Sequence, residues 1–386
     1  MPRWNVHFDT YVKDEDRAVV QLIAEAKALA SVIRGIPIPP SARQRLDRLN
    51  IIRAVRGTTG IEGTELTHEE VGRVLDARGR EPVLSPSRAR DEQEVRNAEA
   101  LMVFVADHLR RYPDAPLTED LVRQLHSITT QGIDYPHNTP GEYRYFPVQA
   151  GSYIAPDTGE EVRRLMAELV RWLRDGPPAG WDPVVRAIVA HFYVVSIHPF
   201  VDGNGRTARA VESFLLYKAG INARGFYSLA NFYYRQRYEY ISSLDHVRFQ
   251  SDPDLTPFVL FALKGLVEEL RAVHAEVIQE VKLVSFRDMA RQTLADAGRL
   301  GTRVGERQFM FLLALTEEAS PVSLRALREG RHRLSGFYKG VSAKTLTRDI
   351  RFLEEKGLVI VERDSLRANL EAMDSFTADA ASHELK

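Results

Sequence analysis

Apolar residues recur three and four positions apart through most of this chain, which commits the bulk of it to amphipathic helices. The stretches "DRAVVQLIAEAKALASVIRG", "RARDEQEVRNAEALMVFVADHL", "EEVRRLMAELVRWLRDG" and "LTPFVLFALKGLVEELRAVHAEVIQEV" carry the pattern most plainly. Runs of period two are rare. The exception is "YRYFPVQAGSYIAP" (143 to 156), where aromatic and β-branched residues flank Ala150-Gly151-Ser152 and predict a short β-hairpin. The expected class is all-α with one hairpin inserted. At 386 residues the chain exceeds what one core usually supports, and the glycines and arginines of "DAGRLGTRVG" (296 to 305) predict the start of a second unit. There is no cysteine, which excludes a disulfide framework, thiol catalysis and zinc sites built on sulfur. A net charge of −1 gives the whole molecule no affinity for polyanions, so any nucleic-acid role has to come from a local patch. The opening "MPRWNVHFDTYVKDEDRAVV" has no apolar core of the signal type and no later run reaches transmembrane length, so a cytoplasmic protein without a membrane partner is expected.

The second unit reads as a helix ("ERQFMFLLALTE"), a second helix ("SLRALREG"), a glycine-containing turn, a third helix ("SAKTLTRDIRFLEEKG"), and "LVIVERDSLRANLEAM" as a strand and wing. That order resembles a winged helix-turn-helix, with Ser342 to Glu355 in the recognition-helix position. From 323 to 351 eight Lys or Arg face two acids, a local +6 that suits DNA. A protein-contact or dimerisation module with solvated arginines suits the same composition.

The stretch "HPFVDGNGRTARA" (198 to 210) joins two helices. Upstream, "WDPVVRAIVAHFYVVSI" (181 to 197) offers Asp182 as N-cap and Pro183 at the first helical position, then runs apolar on nearly every face, predicting a buried helix. Downstream, "GRTARAVESFLLYKAG" closes on Gly220, suited to the C′ position. Arg206 and Arg209, three apart, share one face of the second helix at its start, where the backbone N–H groups of Gly203, Asn204 and Gly205 are free. A first turn favours acids by roughly 0.3 to 1 kcal/mol per charge, so positive side chains loaded there call for an anion. A polyphosphate meets the need: backbone donors cradle one phosphate and the guanidiniums fork onto further oxygens. Asp202 would then be repelled unless a divalent cation, naturally Mg²⁺, lies between. His198, just before the turn, is suited as a neutral imidazole to take a proton from an incoming hydroxyl, and Pro199 predicts an extended backbone for it.

Each residue also has a plainer role. His198 could be a satisfied core histidine, Arg209 could pair with Glu212 one turn on, and Asp202 could be a turn residue. Gly203-Asn-Gly205-Arg-Thr-Ala208 also satisfies G-x-G-x-x-A of dinucleotide sites. That fingerprint needs a preceding strand and an acid some 20 residues on, and "KAGINARGFY" (218 to 227) has none.

His198, Phe200, Asp202, Gly203-Asn204-Gly205-Arg206 and Arg209 resemble the signature H-x-F-x-[D/E]-G-N-G-R-x-x-R of the Fic domain family at every specified position. The resemblance extends to "LVRQLHSI", "GEYR" (141 to 144), "RRLMAELVRWL" and "RQRYEYISSL". It implies a Fic-type helical core at 116–298 with the hairpin as a flap, an N-terminal helical region at 1–115, and a small winged-helix domain with its tail at 299–386. Members of that family typically transfer AMP from Mg-ATP to a Ser, Thr or Tyr hydroxyl of a protein, releasing pyrophosphate. Carried over by position, the resemblance makes His198 the general base and Asp202 the Mg²⁺ ligand. Gly203, Asn204 and Gly205 become the anion hole, and Arg206 and Arg209 hold the outer phosphates, with Thr207 in the same nucleotide-binding stretch. Val148, Gln149, Ala150 and Gly151 fall in the flap edge that aligns a target segment by strand pairing. Tyr240 matches a tyrosine near the adenine, where the family often has a second tyrosine in place of Ile241; ordinary core packing is the alternative for Tyr240.

"TTGIEGTEL" (58 to 66) contains Thr58-x-x-x-Glu62-Gly63, which resembles the [ST]-x-x-x-E-[GN] inhibitory helix of the class that carries it before the core. An empty guanidinium needs a carboxylate, and Glu62 on Arg209 would supply one while displacing the outer phosphate. The expectation is thus a self-inhibited protein adenylyltransferase that uses ATP and Mg²⁺. Its partner would be a protein hydroxyl, its own included; a homodimer and DNA bound through the winged helix complete the expected partners. The same residues permit the reverse reaction, removal of AMP, and a nucleotide-sensing transcription regulator is the non-enzymatic alternative.

Overall fold

The computed structural model describes residues 5–77, 81–151, 153–221 and 229–374. Two compact units, Met1–Ala275 and Glu276–Lys386, divide the chain. In the first, α1 (Arg17–Gly35) starts at Asp16, whose carboxylate accepts from the N–H groups of Ala18 and Val19. It is followed by α2 (Pro40–Ile61), α3 (His68–Asp76), α4 (Ala89–Arg111) and α5 (Glu119–Thr130). The predicted hairpin comes next: β1 (Gln149–Ala150) runs antiparallel to β2 (Tyr153–Ile154), with Gln149 opposite Ile154 and Ala150 opposite Tyr153. Then come α6 (Gly159–Asp175), α7 (Pro183–Ile197), α8 (Asn204–Lys218), α9 (Ala230–Arg235), α10 (Arg237–Phe249) and the first half of α11 (Thr256–Asp296). Among the described residues no helix is long and apolar enough to cross a membrane.

α7 is the axis of this unit. Asp182 caps it by accepting from Val184 N–H, Pro183 opens it, and from Val184 to Ile197 every residue but Arg186 is buried. Its valines and isoleucines each cost a few tenths of a kcal/mol in helix propensity, but burying each stabilises by about 1.5–3 kcal/mol, so burial decides the conformation. α8 packs along α7 and also meets α4 and α5. It ends as anticipated: Gly220 is left-handed (φ 73°), and its N–H and that of Ile221 bond the carbonyls of Tyr217 and Leu216.

α2 packs on α4 and α9. A Cβ on Gly57 would lie 2.7 Å from the amide nitrogen of Asn231, and one on Gly60 2.5 Å from the Tyr234 ring, so the two glycines set how closely α2 approaches. That approach seats the end of α2 beside the start of α8.

The second unit holds α12 (Arg303–Leu315), β3 (Val322–Ser323), α13 (Leu324–Arg328), α14 (Ala343–Glu355), β4 (Val359–Glu362) and β5 (Ser365–Ala368). The strands form an antiparallel sheet in the order β3-β5-β4. β3 escapes the sequence pattern because two residues are too few to show a period. Phe286 and Ala290, from the second half of α11, join Phe311, Leu353 and Leu366 in this core. The division therefore falls at 275/276, inside α11, whereas the glycine-rich stretch marks 298/299.

Candidate active site

His198 ends α7 in a left-handed conformation (φ 52°, ψ 57°), not the extended one expected from Pro199. The following proline disfavours only the right-handed helical region, and tertiary bonds select among the rest. Arg144, almost wholly buried, donates from Nε to the His198 carbonyl at 2.7 Å, from Nη2 to that of Ile197 at 3.3 Å and from Nη1 to that of Phe146 at 2.7 Å. Strain at such a φ is of order 1–3 kcal/mol, and hydrogen bonds from a charged donor contribute about 1.5–3 kcal/mol each, so Arg144 can hold it. The half-buried imidazole has Nδ1 3.1 Å from the Val195 carbonyl, which makes Nδ1 the protonated nitrogen and leaves Nε2 as the acceptor. Burial, with help from the Arg144 and Arg248 charges, pushes its pKa down to about 4, so the ring is neutral at pH 7.

The turn after His198 is clamped by its own side chains. Asn204 Oδ1 accepts from Phe200 N–H at 2.8 Å and Nδ2 donates to the Phe200 carbonyl at 2.9 Å, while Thr207 Oγ1 donates to the Gly203 carbonyl at 2.9 Å. Asn204 and Thr207 thus bring backbone, not free side chains, to the site. Gly203 is left-handed (φ 74°), and a Cβ there would meet Thr130 Cγ2 at 2.8 Å. From α5, His126 stacks on Phe200 with centroids 3.7 Å apart. Its Nδ1 accepts from Gly141 N–H, so its Nε2 carries the proton and donates to the Asp202 carbonyl at 3.0 Å. No side chain caps the first turn of α8.

Arg209, 2% exposed, meets the end of α2. Its Nε donates to Thr58 Oγ1 at 2.9 Å, and its Nη2 donates to the Thr58 carbonyl at 2.9 Å and to Glu62 Oε1 at 2.6 Å. The Arg209–Glu212 pairing does not form; Glu212 accepts from Tyr233 and faces His191. Glu62 also lies against the motif backbone, since a Cβ on Gly205 would come 2.3 Å from Glu62 Oε1. Burial raises the Glu62 carboxyl, but the Arg209 and Arg206 charges and the Arg209 bond outweigh it, so its pKa is lowered and it stays ionised. Gly63 follows at φ 102°.

Arg206, 4% exposed, points Nη1 at Glu94 Oε1 (3.1 Å) and Nη2 at Asp202 Oδ2 (3.3 Å). Arg90 reaches the same two acids, Glu94 at 3.1 Å and Asp202 at 3.2 Å. Arg206 Nε and Arg209 Nη1 are buried and have no hydrogen-bond acceptor among the described residues, and Arg206 Nη1 has its ion pair with Glu94 without hydrogen-bond geometry. Buried N–H groups of a cation left in that state are rare and expect a ligand with acceptor oxygens.

Glu94, Arg90, Arg144 and His126 had no assigned role. A signal for Glu94 exists: it sits on the stripe of α4 that carries Ala98, Leu101 and Val105, all buried. A carboxylate on an apolar stripe needs a partner. Tyr240 lies in the core, 3% exposed, stacked on Tyr233 at 4.6 Å with its hydroxyl 2.8 Å from His191 Nε2. The hairpin joins the motif through Arg144; Val148 accepts from Ala155 N–H and Gln149 donates to the Gly151 carbonyl, bonds that stay within the hairpin.

A profile of the Fic/DOC family matches residues 116–216. The chain is 27% identical over 248 residues to the protein adenylyltransferase Fic of Drosophila ananassae, covering 64% of this chain and 46% of that one. It is 29% identical over 224 residues to the protein adenylyltransferase fic-1 of Caenorhabditis briggsae, covering 58% and 41%. It thus spans less than half the length of these relatives. Among solved structures, a Fic family protein from Desulfovibrio desulfuricans G20 shares the fold with a TM-score of 0.55 at 22% identity, over 95% of this chain and 98% of that one. A segment of Fic-1 from C. elegans does so with a TM-score of 0.55 at 24% identity, over 66% and 72%. With the signature turn, its clamps and its two arginines inside the matched span, the chain carries a Fic domain.

Proposed function

We propose that this chain is a protein adenylyltransferase that moves AMP from ATP to a protein hydroxyl and is restrained at rest by Glu62. The observation that carries the reading is the set of buried, acceptor-less guanidinium N–H groups of Arg206 and Arg209 at an uncapped helix start, beside a neutral imidazole. A triphosphate supplies the acceptors. The names of the relatives above support the same reaction.

In the proposed reaction the acceptor hydroxyl forms a bond to the α-phosphorus, the bond to the bridging oxygen breaks and pyrophosphate leaves. His198 Nε2 takes the hydroxyl proton; its tautomer is set by the Nδ1–Val195 bond and its position by Arg144. Arg209 and Arg206 bind and orient the outer phosphates. A divalent cation fits Asp202, whose carboxylate is partly exposed beside the turn and, among the described residues, is held by guanidiniums alone. Among the described residues no cluster of three His, Asp or Glu is present, so phosphate oxygens and water would complete its shell. When bound, the cation neutralises phosphate charge. Glu62 restrains the site because its carboxylate holds Arg209 and lies over Gly205, where an outer phosphate has to sit.

The test is transfer of label from α-labelled ATP with Mg²⁺ to protein by the Glu62→Gly variant. A labelled band, from the chain itself or from a lysate, is expected. Absence of label in every fraction overturns the reading.

For the second unit we infer a winged helix-turn-helix. Its support is the order of helices ahead of an antiparallel β4–β5 hairpin. Lys339, Lys344 and Arg348, exposed and without an ion-pair partner among the described residues, suit a phosphate backbone.

A further inference from the structure

Four charges around the motif close into a ring. Arg90 Nε lies 3.1 Å from Glu94 Oε1, which lies 3.1 Å from Arg206 Nη1; Arg206 Nη2 lies 3.3 Å from Asp202 Oδ2, which lies 3.2 Å from Arg90 Nη2. Glu94 and Arg206 are each 4% exposed. A buried pair of this kind is no more stabilising than well-packed apolar side chains, so its effect is sought in orientation. Glu94 has one further partner: Thr64 Oγ1, itself buried, donates to Glu94 Oε2 at 2.8 Å. Thr64 stands two residues past Glu62, and its N–H bonds the Thr59 carbonyl.

We propose that Glu94 is the positioning residue for Arg206 and that Thr64 couples it to the segment that carries Glu62. One stretch, Thr58 to Thr64, then governs both motif arginines, Arg209 by direct bonds and Arg206 through Glu94. With Thr64 and Arg90 fixing its two oxygens, Glu94 holds one edge of the Arg206 guanidinium and leaves the opposite edge for Asp202 or a phosphate. Movement of the segment that withdraws Glu62 also withdraws the Thr64 hydroxyl. This inference rests on the reading of the arginines as phosphate ligands.

The experiment uses the full chain with Glu62→Gly as parent and measures ATP affinity by calorimetry, with melting temperature as the control for folding. Glu94→Gln should weaken ATP about tenfold and Thr64→Val about threefold, whereas Thr64→Ser, which keeps the hydroxyl, should stay within twofold of the parent. Unchanged affinity in Glu94→Gln, or Thr64→Ser no better than Thr64→Val, overturns the coupling while leaving the enzyme reading intact. Should Glu94→Gln fail to fold, the two Thr64 variants decide alone. A parent that binds no ATP removes the enzyme reading and this proposal with it.

Discussion

At the scale of single residues, the proposed chemistry concentrates on His198, Arg206 and Arg209. Replacing His198 by Ala should lower transfer by about 10²- to 10⁴-fold, the usual yield of a positioned base, while the melting temperature stays close to the parent's. Retained transfer would reassign the base. The depressed pKa of His198 has a consequence for pH. Its folded value of about 4 lies below the ordinary 6.5, so the ring is unprotonated throughout the neutral range and takes up a proton only in acid. The stability linked to it is complete above pH 6.5 and is lost as pH falls through 4. The rate of the Glu62→Gly variant at low ATP should therefore be flat from pH 8 to about 5.5 and fall below that. An acid limb centred at 6.5 or higher would show that burial does not depress the ring. Arg209→Ala should weaken ATP by roughly 10- to 100-fold, the worth of one or two charged hydrogen bonds, as measured by calorimetry in the Glu62→Gly background.

Among the elements, the seating of α2 is decisive. Its last turn brings Thr58 and Glu62 to Arg209 only because Gly57 and Gly60 admit the backbone of α9 and the ring of Tyr234. The atoms a Cβ on Gly57 would meet belong to the Ala230 and Asn231 backbone, which cannot rotate away. Gly57→Ala should cost about 1–3 kcal/mol, seen as a lower melting temperature. If Glu62 restrains the enzyme as proposed, the same variant should also raise basal labelling, because α2 has to back off from its seat. Lower stability with basal labelling unchanged would show that the seat of α2 does not govern Glu62.

For the whole molecule, the distribution of charge matters more than its sum. A chain of net charge −1 has no general pull on nucleic acid, yet the second unit places Lys339, Lys344 and Arg348 on its exposed surface. If that surface binds DNA, retention by the full chain should weaken with salt, and Lys344→Ala with Arg348→Ala should reduce the log–log salt slope by about 2. A slope unchanged by the double variant, or no retention at low salt, would assign the unit to protein contacts.

The reach of the sequence follows from the range of the forces involved. Asp182 and Pro183 at the start of α7, Gly220 after α8 and the hairpin around Gly151 act on neighbours a few bonds away, so their residue types alone placed them. The motif was legible for the same reason: Asp202 to Arg209 is contiguous, and positive side chains gathered at one helix start are visible in the residue types alone. Packing alone could supply the rest. Glu94 meets Arg206, Arg144 turns His198 left-handed, and Tyr240 faces His191 because segments distant in the chain bring those side chains within 3.1 Å of their partners. By itself the sequence determined the longer helices, several of their ends and the charge gathered at the central turn, from which the proposed ligand is read. Which carboxylates meet Arg206 and Arg209 was decided by tertiary structure, since a buried guanidinium takes the acceptor that packing delivers.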